Sequence, residues 1–448
     1  MDAYSSYKKT SLPWLPTIPA HWSLIRNKQI FSESTATVGD NKSHYPLLSL
    51  TKRGIILRDI SSGKGKFPKD FSTYKIVQKG DFAFCLFDID ETPRTVGLSS
   101  YIGMLTGAYS IFHVKNINAR YVYYYYLALD NVKALRPLYT GLRKTISSTT
   151  FLGIKLPVPP LTEQDQIAKF LDWKLSQINQ LIVLKKEELN LLNKQRARII
   201  NDALTHGIGT MPLKPSAIEG LSAIPYKWEE KPLKWYICRN TETLSDKTPG
   251  DYEFDYIDIS TVGFNRLKGT PVHMQFADAP SRARKIVKTG DTILSMVRTY
   301  LRSICYIDES LDGHIVSTGF AVLRPKENVY PPLLSYALSS DYFINSVIRY
   351  SIGTSYPAIA ETTLLSLKLA LPASLQEQIT LFKQIAERTA KVDAAIQTTQ
   401  AFLSMLNEFK MSLIADVVTG QVDVRDVAIP RYEHVDEAPD ENDAEEEG

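Results

Sequence analysis

The chain has 448 residues, 44% of them hydrophobic and 23% charged, with a net charge of +3. That length exceeds one ordinary core and allows two or three domains, and the composition is that of a folded protein. No run of about 18 apolar residues occurs, which excludes a membrane-spanning helix. Cys85, Cys238 and Cys305 are too few and too scattered for a disulfide framework, so a reducing, cytoplasmic setting is expected. The opening residues lack an apolar core, so no secretory signal is expected. The charge is unevenly spread. Residues 433–448 hold nine acidic side chains and no Lys or Arg, which leaves +12 on residues 1–432. A body of that charge suits a polyanion, and the tail, 428–448, reads as a disordered, solvating end.

In chain order the elements come twice. Ile18-Pro-Ala-His-Trp22 opens the first set and Asp81–Phe87 reads as a strand. A helix is predicted over 119–132, with its tyrosines packed on the core. A loop at Gly141 and a proline-marked strand, 154–157, follow. A long helix then starts near Thr162, where Thr162 and Asp165 resemble a capping pair, and ends at His206-Gly207. The second set runs Ile224-Pro-Tyr-Lys-Trp228, a strand at 292–297, a helix over 332–348, a loop at Gly353, a strand at 367–372, and a helix from Ser374 to Thr419-Gly420. Matching residues lie 206 apart at Trp22 and Trp228, 210 at Gly80 and Gly290, 212 at Gly141 and Gly353, and 214 at Gln164 and Gln378. An ordered series with a slowly drifting offset marks a duplicated domain.

The long helices carry an apolar seam of period 3.5. In the first it is Leu171, Leu175, Ile178, Ile182, Leu189, Leu192 and Ile199. In the second it is Ile385, Val392, Ile396, Leu403, Leu406, Leu413 and Val417. Such a period over about five heptads predicts a coiled coil, and two such helices in one chain can pair antiparallel. Arg196 and Lys410 interrupt the seam at matching places. The predicted fold class is α+β: two mixed α/β domains, two long antiparallel coiled-coil helices, and a pseudo-two-fold internal repeat.

Catalytic motifs are not found. There is no GxxxxGK[ST] loop, no metal-ligand spacing of His and Cys, and no [DN]-P-P-[YF] motif. Glu229–Lys231 has a nuclease-like spacing without a companion Pro-Asp. A nuclease or methyltransferase acting alone is therefore disfavoured. A scaffold built on the coiled coil is the other alternative, and the basic body weighs against it.

Leu156-Pro-Val-Pro-Pro-Leu-Thr-Glu-Gln164, leading into a long helix, resembles the conserved region of type I restriction–modification specificity subunits. So do Ser412–Arg425 and the two Ile-Pro-x-x-Trp openings. The second region departs from the pattern, with Leu371-Pro-Ala-Ser-Leu-Gln-Glu-Gln378 where Pro-Pro-Leu is expected. The resemblance implies target recognition domains at 1–160 and 209–372, conserved helices at 161–208 and 373–427, and the tail from 428. It implies a non-catalytic subunit that binds double-stranded DNA and joins two modification subunits and restriction/translocase subunits. No cofactor is expected on this chain; S-adenosylmethionine, ATP and magnesium belong to those partners. The loops of the two repeats differ, so an asymmetric, two-part target is expected, with the helices setting its spacer.

DNA contact needs donors that reach phosphates or base edges. The candidates in the first repeat are Lys52, Arg53, Arg58, Lys64, Lys66, Lys69, Arg94, Arg143 and Lys144. In the second they are Arg266, Lys268, Arg282, Arg284, Lys285, Arg298, Arg302, Thr354, Ser355 and Tyr356. The Gly141 and Gly353 loops stand out because they recur in place with different chemistry.

Overall fold

A computed structural model describes residues 2–58, 70–140, 144–238, 242–354 and 356–437. The chain forms two compact units, Met1–Glu188 with Thr399–Gly448, and Leu189–Thr398. The boundaries fall within the long helices, Leu161–His206 and Leu375–Val418. Each unit therefore holds the start of one helix and the end of the other.

The helix ends follow local chemistry. Pro160 precedes the first helix, and its carbonyl accepts from the Glu163 and Gln164 N–H groups. The expected Thr162–Asp165 pair does not begin it. Thr162 is already helical, and Asp165 instead accepts from Asn118 Nδ2 at 2.6 Å. Ser374 does cap the second helix, its Oγ accepting from Glu377 N–H. Both helices stop at a glycine in left-handed backbone, Gly207 (φ 71°) and Gly420 (φ 73°). A Cβ on Gly420 would come within 3 Å of Pro19, so close packing also demands glycine there.

Within the first unit the helix segments run antiparallel. Lys185 lies 5.6 Å from the Phe402 ring centre, and Lys410 donates to Asn179 Oδ1. Leu171, Leu175, Ile178 and Ile182 are buried in one core with Leu406, Leu413 and Val417, and Leu403 is half-buried against it. In the second unit Ile385 and Val392 are buried, while Leu189, Leu192, Ile199 and Ile396 are half-buried. Arg196 crosses there to Asp393 at 2.6 Å.

In the first unit, strands Phe31–Ser34, Ser110–Val114, Phe82–Phe84 and Val96–Leu98 form an antiparallel sheet in that order. Phe31, Phe84, Tyr126 and Phe151 meet edge-on or tilted beneath it. Helix Ala119–Asn131 buries Tyr121, Tyr124, Tyr125 and Tyr126. Their hydroxyls find partners, as burial requires: Tyr121 donates to Pro157 O, and Tyr126 to Asn27 Oδ1. Desolvation pushes the pKa of each of these tyrosines upward.

The second unit repeats the frame with Thr292–Ser295 between Ile304–Tyr306 and Phe320–Leu323. It adds a four-stranded sheet in which Glu253–Ile257 pairs parallel with Ile315–Ser317. The helix expected over 332–348 is two helices, Pro331–Leu338 and Asp341–Arg349. Ser340 breaks it: its backbone is extended, and its hydroxyl donates to Ala337 O in competition with the helix.

The duplicated motifs are structural locks. Gly80 and Gly290 turn with φ 91° and 94°, and the buried Asp81 and Asp291 that follow accept from the N–H groups of Gln78 and Lys288. A nitrogen-bearing side chain meets each aspartate at matching places, the His113 imidazole on Asp81 and Arg324 bidentate on Asp291. Gln164 accepts from Asn118 N–H and donates to Pro159 O; Gln378 accepts from Tyr330 N–H and donates to Pro372 O. Each glutamine thus ties the start of a long helix to the start of the shorter one.

Composition led us to expect no structure from 428 onward. Residues 428–437 instead lie on the first unit's helices, held by Ser176, Asn179 and Lys410. Those bonds go to main-chain atoms and one carboxylate, which acidic composition does not reveal.

Candidate nucleic-acid interface

In each unit two loops are joined by the same three backbone ties. In the first unit Phe87 bridges Thr145, Thr140 bridges Thr145, and Asp88 N–H donates to Lys144 O. In the second, Val297 bridges Ala358, Ile352 bridges Ala358, and Arg298 N–H donates to Pro357 O at 2.7 Å. Asp88 (φ 43°) and Arg298 (φ 50°) are both left-handed, a conformation that costs a side chain about 1–2 kcal/mol and that the surrounding ties must hold. The residues flanking each glycine loop are thereby fixed against the loop that follows the central strand.

The chemistry on these tips differs. The first carries Asp88, Asp90 and Glu91. Lys144 reaches Glu91 at 2.7 Å and Asp90 at 3.5 Å, and the Glu91 carboxylate, with Asp90, raises its pKa. The Tyr139 hydroxyl, with Lys144 and Arg136, lowers that of Asp90. The second tip carries Arg298, its guanidinium 4.7 Å from the Tyr356 ring centre, and left-handed Arg302, stacked on Phe264 and bonded to Asp341. Tyr300, Leu301, Ile352 and Tyr356 are exposed beside them, Ile352 at 84%. Thr299 and Ser351 hydroxyls bond across the loops at 2.7 Å.

The other candidates are scattered. Arg94 turns inward to Asp130 and Asn131. Lys52 and Arg53 are half-buried at the turn between Leu48–Thr51 and Gly54–Leu57, with Arg58 just beyond. Arg266 and Lys268 are exposed on the loop closed by the Val262–Leu267 bridge. Arg282 is bonded to Tyr256 and Asp258. Arg284 lies over Phe276 and donates to Ala283 O. Lys285 points inward to Phe320 O at 2.7 Å, and burial pushes its pKa down. Thr354 and Tyr356 are exposed on the Gly353 loop. Lys64, Lys66, Lys69, Arg143 and Ser355 lie outside the described residues.

Tyr300, Leu301 and Ile352 carry no charge and are not among the residues expected from sequence. The available signal was an apolar pair set between two arginines, Arg298-Thr-Tyr-Leu-Arg302, where a turn was due. Among the described residues no group of three or more His, Cys, Asp or Glu could hold a metal, and no helix is long and apolar enough to cross a membrane.

A repeated frame with unlike polar tips, each copy followed by a long helix, defines an internally duplicated two-unit protein. Comparison with known proteins points to one family. The family described as type I restriction modification DNA specificity domain matches residues 38–193. The chain is 25% identical over 435 residues to the MjaVIII specificity subunit of Methanocaldococcus jannaschii, covering 92% of this chain and 95% of that one. It is 30% identical over 106 residues to the HindI specificity subunit of Haemophilus influenzae, 22% of this chain and 23% of that one. A solved chain from a study of complex assembly and conformational transition in the type I R-M system shares the fold. Its TM-score is 0.58 at 14% identity, over 90% of this chain and 99% of that one. Over nearly its full length the chain is similar to specificity subunits of type I restriction–modification systems.

Proposed function

We propose that each unit reads one half of an asymmetric, two-part duplex target, and that the tips are the reading surfaces. The observation that carries this is the pair of equivalent loop junctions with opposite charge. Arginine donates to guanine O6 and N7, whereas Asp and Glu accept from cytosine N4. Arg298, Arg302, Thr354 and Tyr356 read in the second unit; Asp90, Glu91, Arg143 and Lys144 read in the first. Lys52, Arg53, Arg58, Arg266 and Lys268 are assigned to phosphates, which position the protein without reading sequence. The recognition domains are 1–160 and 209–372.

The helices, 161–208 and 373–427, set the spacer and receive two modification subunits. Leu181, Leu184, Phe402, Met405 and Phe409 are exposed on the first unit's helices and give such a partner an apolar face. S-adenosylmethionine, and the ATP and magnesium of the restriction subunits, act on those partners in the cytoplasm. The test is to replace Arg298 and Tyr356 by alanine and to profile methylated motifs across the host genome. One half of the motif should relax and the other stay fixed. A palindromic motif, or a change in both halves, overturns the reading. Adding one heptad to each helix, about 10 Å, should lengthen the spacer by about three base pairs.

A further inference from the structure

Lys410 lies on the seam of the second long helix with its side chain 12% exposed. One repeat of 214 residues earlier stands Arg196, and the same offset relates Asn179 to Asp393. The two cross-helix pairs are therefore duplicates. In the second unit the pair is charged on both sides: Arg196 Nε donates to Asp393 at 2.6 Å. In the first unit Lys410 meets the neutral amide oxygen of Asn179 at 3.1 Å. A largely buried ammonium is then short of one carboxylate, a costly arrangement.

The missing carboxylate comes from the tail. Glu437 Oε1 lies 2.9 Å from Lys410 Nζ. The segment before it lies against buried polar side chains. Ser176 Oγ donates to Glu433 O and accepts from Val435 N–H, both at 2.8 Å, and Asn179 Nδ2 donates to Val435 O at 3.0 Å. Residues 433, 435 and 437 alternate, so an extended segment presents all three to the helices. Ser176 and Asn179 are buried beneath it. Ala390, the counterpart of Ser176, has no hydroxyl and is exposed.

We propose that Ser176, Asn179 and Lys410 form a site for an extended acidic peptide, and that the chain's own residues 433–437 fill it in cis. Asn179 serves twice, bonding the peptide backbone and leaving the lysine to a carboxylate from outside the helices. The site belongs to one repeat only.

The first test is a mutant cycle in the full chain. Glu437→Gln should lower the melting temperature at low salt by about 2–4 °C, and the same change should be silent in a Lys410→Met chain, where no ammonium needs the carboxylate. The second uses a chain lacking residues 430–448 and a fluorescein-labelled peptide of residues 430–440. Anisotropy should report binding to the shortened chain, at least tenfold weaker binding to the full chain, and none once Lys410→Met is added. Equal binding to all three, or no binding to the shortened chain, overturns the proposal. If the shortened chain does not fold, the cycle decides: a silent Glu437→Gln, or an equal loss from Glu437→Gln in the Lys410→Met chain, overturns it.

Discussion

Asp88 and Arg298 hold matching places, each left-handed and each tied through its N–H to the backbone just before the end of the glycine loop. One begins a loop with two further carboxylates, the other a loop with a second arginine and exposed aromatic and aliphatic tips. Backbone ties survive a change of side chain because they use only N–H and C=O groups. The duplication could therefore reverse the chemistry of a tip without rebuilding its support. The tips also differ in readiness: Lys144 is already bound to Asp90 and Glu91, whereas Arg298 rests on the face of an exposed ring.

The largest contrast lies at the helix starts. Glu163 is buried and accepts from Tyr4 Oη at 2.6 Å and Trp22 Nε1 at 2.9 Å, with His21 Nε2 at 2.8 Å from its other oxygen. Its counterpart Glu377 is exposed. Glu163→Ala strands buried donors, each costing about 1–3 kcal/mol, so a loss of about 3 kcal/mol or more is expected. Glu377→Ala should stay within about 0.5 kcal/mol. Urea unfolding of the two variants measures this, and equal losses would break the contrast. Gln164→Ala and Gln378→Ala test the opposite point. Both glutamines bridge the same two elements, so each should cost about 1–3 kcal/mol, and hydrogen exchange should place each loss in its own unit. A silent variant at either site would show that the lock is not shared.

On DNA the tips should separate again. Arg298→Ala should weaken specific binding by about 1–3 kcal/mol and relax one position of one half-site. Lys144→Ala should do less, since its charge is already matched. Binding measured on duplexes altered at single positions decides between them, and a larger effect at Lys144 would reverse their assigned roles.

The frame was legible in sequence because it rests on patterns that few residues can satisfy. The seam has to be apolar every 3.5 residues, and Gly80, Gly290 and Gly420 stand where other side chains strain or collide. The bounds of the two long helices follow to within about two residues. The sites were less legible because charge in a sequence does not say which way a side chain turns. Arg94 and Lys285 look like DNA contacts and are spent on Asp130 and the Phe320 carbonyl. Tyr300, Leu301 and Ile352 carry no charge to draw the eye, and the tail's hold depends on main-chain atoms that every sequence shares.

The smallest expected effect concerns acid. Arg282 looked like a DNA contact, yet it braces Asp258, and the first unit's strands Leu48–Thr51 and Gly54–Leu57 carry no carboxylate. Burial disfavours the Asp258 charge, but bonds from Ser260 N–H, the Ser260 and Tyr256 hydroxyls and the charge of Arg282 outweigh it, so its pKa is lowered. The folded chain then binds this proton less readily than the unfolded chain. Its stabilisation is present above the ordinary aspartate value, about 3.9, and is lost as pH falls through that value toward the lower folded one. Asp258→Asn should flatten the acid limb of second-unit stability below about pH 5 and leave the first unit unchanged. Hydrogen exchange followed by mass spectrometry resolves the two units. An unaltered slope in the second unit would mean that Arg282 does not hold Asp258, and would return that arginine to the set facing DNA.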